Sequence, residues 1–434
     1  MENKKINIFW FRRDLRFQDN CGLYHALQEK LDLVPIFIFD PEILDDLSSS
    51  QDARVQFIHT ELEQMNIELK SKGSRLFVFQ NKVIKVFEQL LEDYDVKTVF
   101  CNHDYEPYAI QRDKNVADLL AKKGISFKSY KDQVIFEKDE ILKADGSPYL
   151  VYTPYSKQWL KAFEENGITT YSSALRYENW FKTKWKPIVN LEEIGFKKTE
   201  IEYPSRELKS DTLIAYRDER DLPVKDSTSR LGIHLRFGTV SIRKIVQEAA
   251  QQSEVFLKEL VWREFFMMIL YHYPKVVDQN FNSKYDTVRW RNNEEEFAKW
   301  CKGETGYLMV DAGMQELNKT GFMHNRVRMI VASFLCKHLL IDWRWGEAYF
   351  AEKLLDYELS SNNGNWQWAA GTGVDAAPYF RVFNPITQLE KFDPDRIYAR
   401  RWLSREYFNS PPQPIVEHKM ARERALKVYK EALN

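Results

Sequence analysis

Short, nearly continuous apolar runs at Ile6–Phe11, Leu33–Phe39, Arg75–Gln80 and Thr98–Asn102 alternate with stretches of helical period, such as Asp52–Lys72 and Lys82–Asp93. Strands that are apolar on both faces and separated by helices predict a parallel sheet covered on both sides, a doubly wound α/β domain over residues 1–135. No glycine-rich dinucleotide fingerprint follows the first run. Trp10-Phe11-Arg12-Arg13-Asp14-Leu15-Arg16 stands there instead, so a dinucleotide site of the usual kind is not indicated. A ligand at the carboxyl ends of the strands stays open on topology alone.

Residues 136–205 lose this periodicity. Asp145-Gly146-Ser147-Pro148, Thr153-Pro154-Tyr155 and Lys186-Pro187 punctuate what reads as a long interdomain linker containing some helix. From residue 206 to 434 the period is helical throughout, with candidates at Ser241–Ala250, Val255–Tyr271, Glu294–Lys302, Val310–Lys319, His324–Leu340, Gly346–Leu355 and Lys419–Leu433. That half predicts a large all-α domain with its own core.

Composition narrows the functional classes. The net charge of −1 excludes a general basic coat for nucleic acid, so any DNA binding must come from a local, salt-sensitive patch. Cys21, Cys101, Cys301 and Cys336 form no metal-ligand pattern and read as reduced thiols of a cytoplasmic protein. No run approaches the ~20 apolar residues of a membrane helix, and Arg12, Arg13 and Asp14 break the first apolar stretch too early for a signal peptide. Aromatic content is high, and eight of the 12 tryptophans lie from Trp262 onward. An indole N–H seeks a partner when buried, so this clustering points to a use beyond filling space.

Four segments carry candidate chemistry. Tyr216 to Gly232 ends in Asp226-Ser227-Thr228-Ser229-Arg230-Leu231-Gly232, hydroxyls and a guanidinium ahead of a helix, which suits an anion or an ordinary helix cap. Glu259-Leu260-Val261-Trp262-Arg263-Glu264 puts Glu259 and Trp262 on one helix face. Met323-His324-Asn325-Arg326-Val327-Arg328-Met329 sets Asn325 and Met329 on one face, with Arg326 and Arg328 directed elsewhere, and His324 reads as structural. Asp356 to Ala370 packs carboxylates, amides and two indoles into a loop entering a helix, a density that suits a large polar aromatic cofactor.

These segments, in this order, resemble the photolyase/cryptochrome family, and most closely its class I cyclobutane pyrimidine dimer DNA photolyases. The likeness spans essentially the whole chain, through WFRRDLR at 10–16, TPYSK at 153–157, WREFF at 262–266, MHNRVRM at 323–329 and NNGNWQWAAGTGVDAAPYFRVFNP at 362–385. It implies an N-terminal α/β antenna-type domain, a linker, and a helical domain that holds FAD and DNA. Tyr216, Thr228, Ser229, Arg230 and Leu231 would hold the phosphates and nearby groups of FAD, with Arg263 reaching the same diphosphate. Gly232 replaces a serine common in the family, and Glu358 replaces an aspartate. Asn362 would face flavin N5, and Arg328 and Asp356 would pair beside the ring and favour its reduced, anionic form.

The same resemblance implies light-dependent repair of pyrimidine dimers in DNA, without a metal. Glu259, Trp262, Asn325 and Met329 match the contacts to a flipped dimer. Trp366, Trp343 and Trp290 match an electron relay to the flavin. A phosphate-binding patch would include Arg326, Arg381, Arg400 and Arg401. A second antenna chromophore is implied without its identity, because Tyr108 and Ala109 stand where folate-binding members favour an Asn-Glu pair. The stretch between Trp402 and Pro411 is shorter than in many relatives. A monomer is the family's expectation. The competing reading is a cryptochrome-type blue-light photoreceptor, against which stand the matched dimer contacts and a chain ending soon after its last helix, at Asn434.

Overall fold

The computed structural model describes residues 4–173, 178–225 and 227–433. Asp226, within the hydroxyl-rich segment, and Asn434 lie outside the described residues. The chain divides into two compact units. One comprises residues 1–140, 160–207 and 231–248, the other 141–159, 208–230 and 249–434.

The first unit is built on five parallel strands, β1 (Lys5–Phe11), β2 (Asp32–Phe39), β3 (Phe77–Gln80), β4 (Asp95–Asn102) and β5 (Ser126–Tyr130), in the order β3-β2-β1-β4-β5. Helices Cys21–Gln28, Ala53–Lys70, Val83–Asp93 and Pro107–Ala121 connect them. The order reverses beside β1, as in doubly wound sheets. After its first residue β1 is wholly buried, which is why its apolar run is continuous. The sequence pattern does not reveal β5. Its Ser-Phe-Lys-Ser-Tyr run pairs only with β4 and stays half exposed, so an edge strand leaves little apolar signal.

The arginines of the WFRRDLR run are internal. Arg12 donates to the Asn102 carbonyl and to Asp113, and lies 4.7 Å from the Trp10 ring. Arg13 donates to Asp104 at 3.1 Å and Glu106 at 3.0 Å. Those guanidiniums hold the Asp104 carboxyl well below the ordinary carboxylate range, against the opposing effect of burial. The motif therefore closes the carboxyl end of β1 with ion pairs.

The stretch read as a linker is divided between the units. Residues 160–207 join the sheet unit, where Leu33 N–H donates to the Asn179 carbonyl and Phe181 N–H to the Leu33 carbonyl. Trp180, Leu191 and Ile194 are buried there. Burial of these side chains, rather than local periodicity, gives the segment its place.

The second unit is helical. Its longest helix, Glu254–His272, is capped by Ser253, whose hydroxyl accepts from Phe256 N–H. The helix expected over His324–Leu340 runs as α-helix over Asn325–Ser333 and continues as a π-helix over Phe334–Leu339. One core joins Val327, Ile330, Val331, Phe334, Leu335 and Leu339 to Trp300, Trp343 and Trp366. Glycine permits a close helix crossing: a Cβ on Gly364 would stand 2.2 Å from Phe266 Cδ1. Gly364→Ala is expected to destabilise the unit by about 1–3 kcal/mol, read as a fall in thermal midpoint. An unchanged midpoint would show that Phe266 moves freely.

Candidate flavin and lesion site

Along the Glu254–His272 helix, Glu259, Trp262, Arg263 and Phe266 fall at i, i+3, i+4 and i+7 and share one face. The remaining sides of the helix are buried through Leu257, Leu260, Val261 and Phe265. Arg263 Nε lies 3.2 Å from Glu358 Oε2, with both side chains at most 10% exposed. Glu358 precedes the Leu359–Ala370 helix and makes no cap with its side chain, so its carboxylate is turned to the guanidinium. Arg328 Nη2 donates to Asp356 Oδ2 at 2.9 Å, and its Nε to the Met323 carbonyl at 2.7 Å. Two guanidinium–carboxylate pairs thus flank the start of one helix.

The Leu359–Ala370 helix sorts its amides. Asn363 Nδ2 donates to the Val276 carbonyl at 2.8 Å, and Gln367 Nε2 to the Val276 and Gln279 carbonyls at 3.0 and 3.2 Å. Those two tie down the Val276–Gln279 turn. Asn362 is different: its Nδ2 donates to Glu347 Oε1 at 2.8 Å, which leaves its own oxygen free to turn away from Glu347. Burial pushes the Glu347 carboxyl up, and the Asn362 bond opposes that shift. Glu347 is a residue of this site that sequence reasoning missed. It lies on another helix, Trp343–Lys353, and carries no local signal.

The hydroxyl-rich loop is split between the units, with Tyr216 and Thr228 to Arg230 in the helical one and Leu231 and Gly232 in the other. Tyr216 sits on the Ser210–Glu219 helix with its ring edge-on to Phe256 at 5.0 Å. Arg230 adopts φ 50, and its guanidinium lies 4.6 Å from the Phe322 ring. Thr228 and Ser229 are half-buried. Leu231 is buried at the start of the Gly232–Phe237 helix.

Glu259 is held by Arg220, which donates to its Oε1. Burial raises the Glu259 carboxyl above its ordinary range, against the lowering by Arg220. Arg220, the residue that ends the Ser210–Glu219 helix, is a second residue of this site that sequence reasoning missed. Trp262 lies parallel to Tyr152, ring centroids 3.6 Å apart at 6°. One face of the indole is therefore already taken. Asn325 is exposed at the start of its helix and Met329 is half-buried.

Residues 7–172 match the family model described as DNA photolyase, and residues 256–407 match the FAD binding domain of DNA photolyase. A deoxyribodipyrimidine photo-lyase of Halobacterium salinarum is 35% identical, covering 98% of this chain and 99% of that protein. This chain belongs to the DNA photolyase family. A class III photolyase from Agrobacterium tumefaciens has a TM-score of 0.87 at 33% identity, over 100% of this chain and 98% of that one. An archaeal photolyase from Sulfolobus tokodaii, solved with two FAD molecules, has a TM-score of 0.84 at 34% identity, over 98% and 99%. A Synechocystis cryptochrome has a TM-score of 0.85 at 25% identity, over 99% and 100%.

The residues around the start of the Leu359–Ala370 helix suit the flavin ring of FAD. Asp356 Oδ1 and Ser360 Oγ are buried polar atoms without a hydrogen-bond partner among the described residues. Both stand at the start of the Leu359–Ala370 helix, beside the guanidiniums of Arg328 and Arg263. Cations and spare polar atoms along one wall suit a polar, anionic heterocycle.

The three tryptophans expected to form a relay, Trp366, Trp343 and Trp290, share one core of the helical unit. Trp366 and Trp343 are buried, and Trp290 packs half-buried at its margin. Trp343 Nε1 donates to Asn280 Oδ1 at 2.9 Å. Trp366 also meets Trp300 at 6.1 Å, edge to face. Of the arginines, Arg326 pairs with Asp221 at 2.8 Å and lies 4.6 Å from the Phe392 ring. Arg381, Arg400 and Arg401 are exposed, and Arg401 donates to the Val224 carbonyl at 3.3 Å. Phe380, Ile386 and Ile397 are at least half exposed among them. No helix among the described residues is long and apolar enough to cross a membrane.

Proposed function

We propose that this photolyase repairs cyclobutane pyrimidine dimers in DNA, using light and a reduced FAD. The observation that carries the reading is the single face of the Glu254–His272 helix, where Glu259 stands one turn, and Trp262 one residue, before Arg263 with its partner Glu358. A lesion on that face and a flavin beyond it lie within one turn of helix of each other.

When bound and reduced, FAD supplies an excitable one-electron donor. The protein's own residues do the rest. Arg328 and Arg263, paired with Asp356 and Glu358, present positive charge where the cofactor's negative charge resides. Glu347 fixes the Asn362 amide so that its oxygen faces the flavin edge. Tyr216, Thr228, Ser229, Arg230, Leu231 and Gly232 hold the diphosphate side. Trp262 and Met329 pack against the flipped pyrimidines while Glu259 and Asn325 bind their polar edges, repaying the cost of unstacking. Trp366, Trp343 and Trp290 would relay an electron from a reductant in solution toward a bound flavin. A second chromophore binds the sheet unit.

Arg326, Arg381, Arg400 and Arg401 take the phosphates. Exposed apolar Phe380 beside Arg381 suits a damaged, opened duplex, where an apolar side chain replaces lost stacking. Arg381→Ala is expected to weaken damaged and undamaged DNA alike and to lower the slope of log affinity against log salt by about one. Equal slopes in variant and parent would remove Arg381 from the patch.

The deciding experiment mixes the reduced protein with an oligonucleotide carrying one thymine dimer and follows recovery of thymine absorbance under blue light. Repair in light only, lowered roughly a hundredfold in Glu259→Ala, supports the reading. Flavin that responds to light while the dimer stays intact moves the protein to the photoreceptor class.

A further inference from the structure

The loop after the Leu359–Ala370 helix is fixed at its root and exposed at its tip. Gly371 and Thr372 N–H groups donate to the Gln367 carbonyl at 2.9 and 3.0 Å. Further on, Tyr379 lies parallel to Tyr429, centroids 6.0 Å apart at 2°. Between them Asp375 adopts φ 46. Left-handed backbone is uncommon for a residue with a side chain, and aspartate takes it up more readily than most because its carboxylate can hydrogen-bond nearby backbone.

What engages Asp375 is a distant backbone. Its Oδ2 accepts the Tyr152 N–H at 3.0 Å, and Tyr152 is the first residue of the Tyr152–Asn166 helix. That N–H is one of the donors a helix start leaves unsatisfied, and a carboxylate there is favoured by charge. The Tyr152 hydroxyl donates to the Lys258 carbonyl at 2.7 Å. The ring is thus pinned at both ends, and between those pins it lies flat on Trp262. Phe266 packs at 5.5 Å and 28° to the same indole. TPYSK follows immediately, and its helix continues the brace: Tyr155 is buried against Phe265, and Trp159 Nε1 donates to Glu264 at 2.6 Å.

We propose that Asp375 and Tyr152 are positioning residues for lesion recognition: Asp375 fixes Tyr152, Tyr152 sets the plane of Trp262, and the exposed Phe380–Arg381 tip of the same loop is thereby held in register with the lesion pocket. The proposal rests on the repair reading and adds two residues that do not themselves touch the lesion. It assigns the left-handed turn at Asp375 a purpose. A misplaced indole plane loses stacking on the dimer while leaving phosphate contacts intact, so damaged and undamaged DNA are affected differently.

The test compares affinities of the flavin-loaded protein for one oligonucleotide with and without a single thymine dimer, and takes their ratio. Flavin absorbance and thermal midpoint are recorded for each variant. Asp375→Ala and Tyr152→Leu are each expected to lower the ratio roughly tenfold, through weaker binding of the damaged strand only. Tyr152→Phe, which keeps the ring, restores most of what Tyr152→Leu loses. The double variant loses no more than the larger single loss, because both act through one route.

A ratio unchanged in Asp375→Ala, with a midpoint lowered as by loss of an ordinary helix cap, overturns the proposal. So do additive losses in the double variant. If Tyr152→Leu releases its flavin, Asp375→Ala, an exposed position outside the core, decides alone. A parent ratio near one is a failure of the repair reading itself, seen before any variant is compared.

Discussion

Glu358→Ala is expected to lose most of its FAD during purification. The Arg263–Glu358 pair is nearly buried, at 10% and 7% side-chain exposure. Removing one member of such a pair leaves the other charge desolvated, which costs about 3 kcal/mol or more. If that cost falls on the cofactor-bound state, flavin retention drops roughly a hundredfold. Glu358→Gln, which keeps an acceptor and loses the charge, should fall between. The flavin-to-protein absorbance ratio after dialysis, with the thermal midpoint beside it, measures both effects. Full flavin content in Glu358→Ala would show that Arg263 is held by its other contacts and that Glu358 has no part in the site.

Lys337 governs the second large effect, on stability against pH. It lies in the π-helix over Phe334–Leu339 and is 1% exposed. Its Nζ donates to the Ala370 carbonyl at 2.7 Å, at the end of the Leu359–Ala370 helix, and lies 3.6 Å from the Tyr429 ring centroid. A helix C-terminus and an aromatic face both favour the cation. Burial outweighs them and lowers the ammonium from 10.5 to about 7. Between those values the unfolded chain binds the proton and the folded chain does not, so folding stability rises with pH through that window. Below about 7 the folded protein bears the full cost of a buried charge. Lys337→Met should therefore stabilise the protein at pH 6 by roughly 2–4 kcal/mol and flatten the rise toward pH 9. Urea midpoints across that range measure it. A variant less stable at pH 6, or one with the parent's slope, would show that the contacts with Ala370 and Tyr429 dominate.

Much of the site was readable because its residues sit close together in sequence on helices of regular period. Glu259, Trp262 and Arg263 share a face by spacing alone, and the Leu359–Ala370 helix carries Asn362 and Trp366 by the same rule. What escaped were partners from elsewhere in the chain. Arg220 meets Glu259 across 39 positions, Glu347 meets Asn362 across 15, and Asp375 meets Tyr152 across 223. Periodicity states which way a side chain leaves its own helix, and nothing about what waits there.

The motifs show the same division. NNGNWQW reads as one polar cluster, yet Asn363 and Gln367 are spent on the backbone of Val276–Gln279, and only Asn362 among those three turns to Glu347. WFRRDLR reads as a positive run, yet Arg12 and Arg13 are consumed by Asn102, Asp104, Glu106 and Asp113. Free charge and paired charge look alike in a sequence.

By itself, the order of apolar runs determined the parallel sheet of the first unit and the helices of the second, because burial on one or both faces writes its period into the chain. The order of motifs determined the family, since strings as long as NNGNWQWAAGTGVDAAPYFRVFNP do not recur by chance. The tertiary structure alone decided how the chain is apportioned, sending residues 160–207 and 231–248 to the sheet unit and 141–159 to the helical one. It alone decided which charges are paired, which faces are covered, and that a left-handed aspartate braces the tyrosine beneath Trp262. Those depend on distance in space, which burial and hydrogen bonding set only once the whole chain has folded.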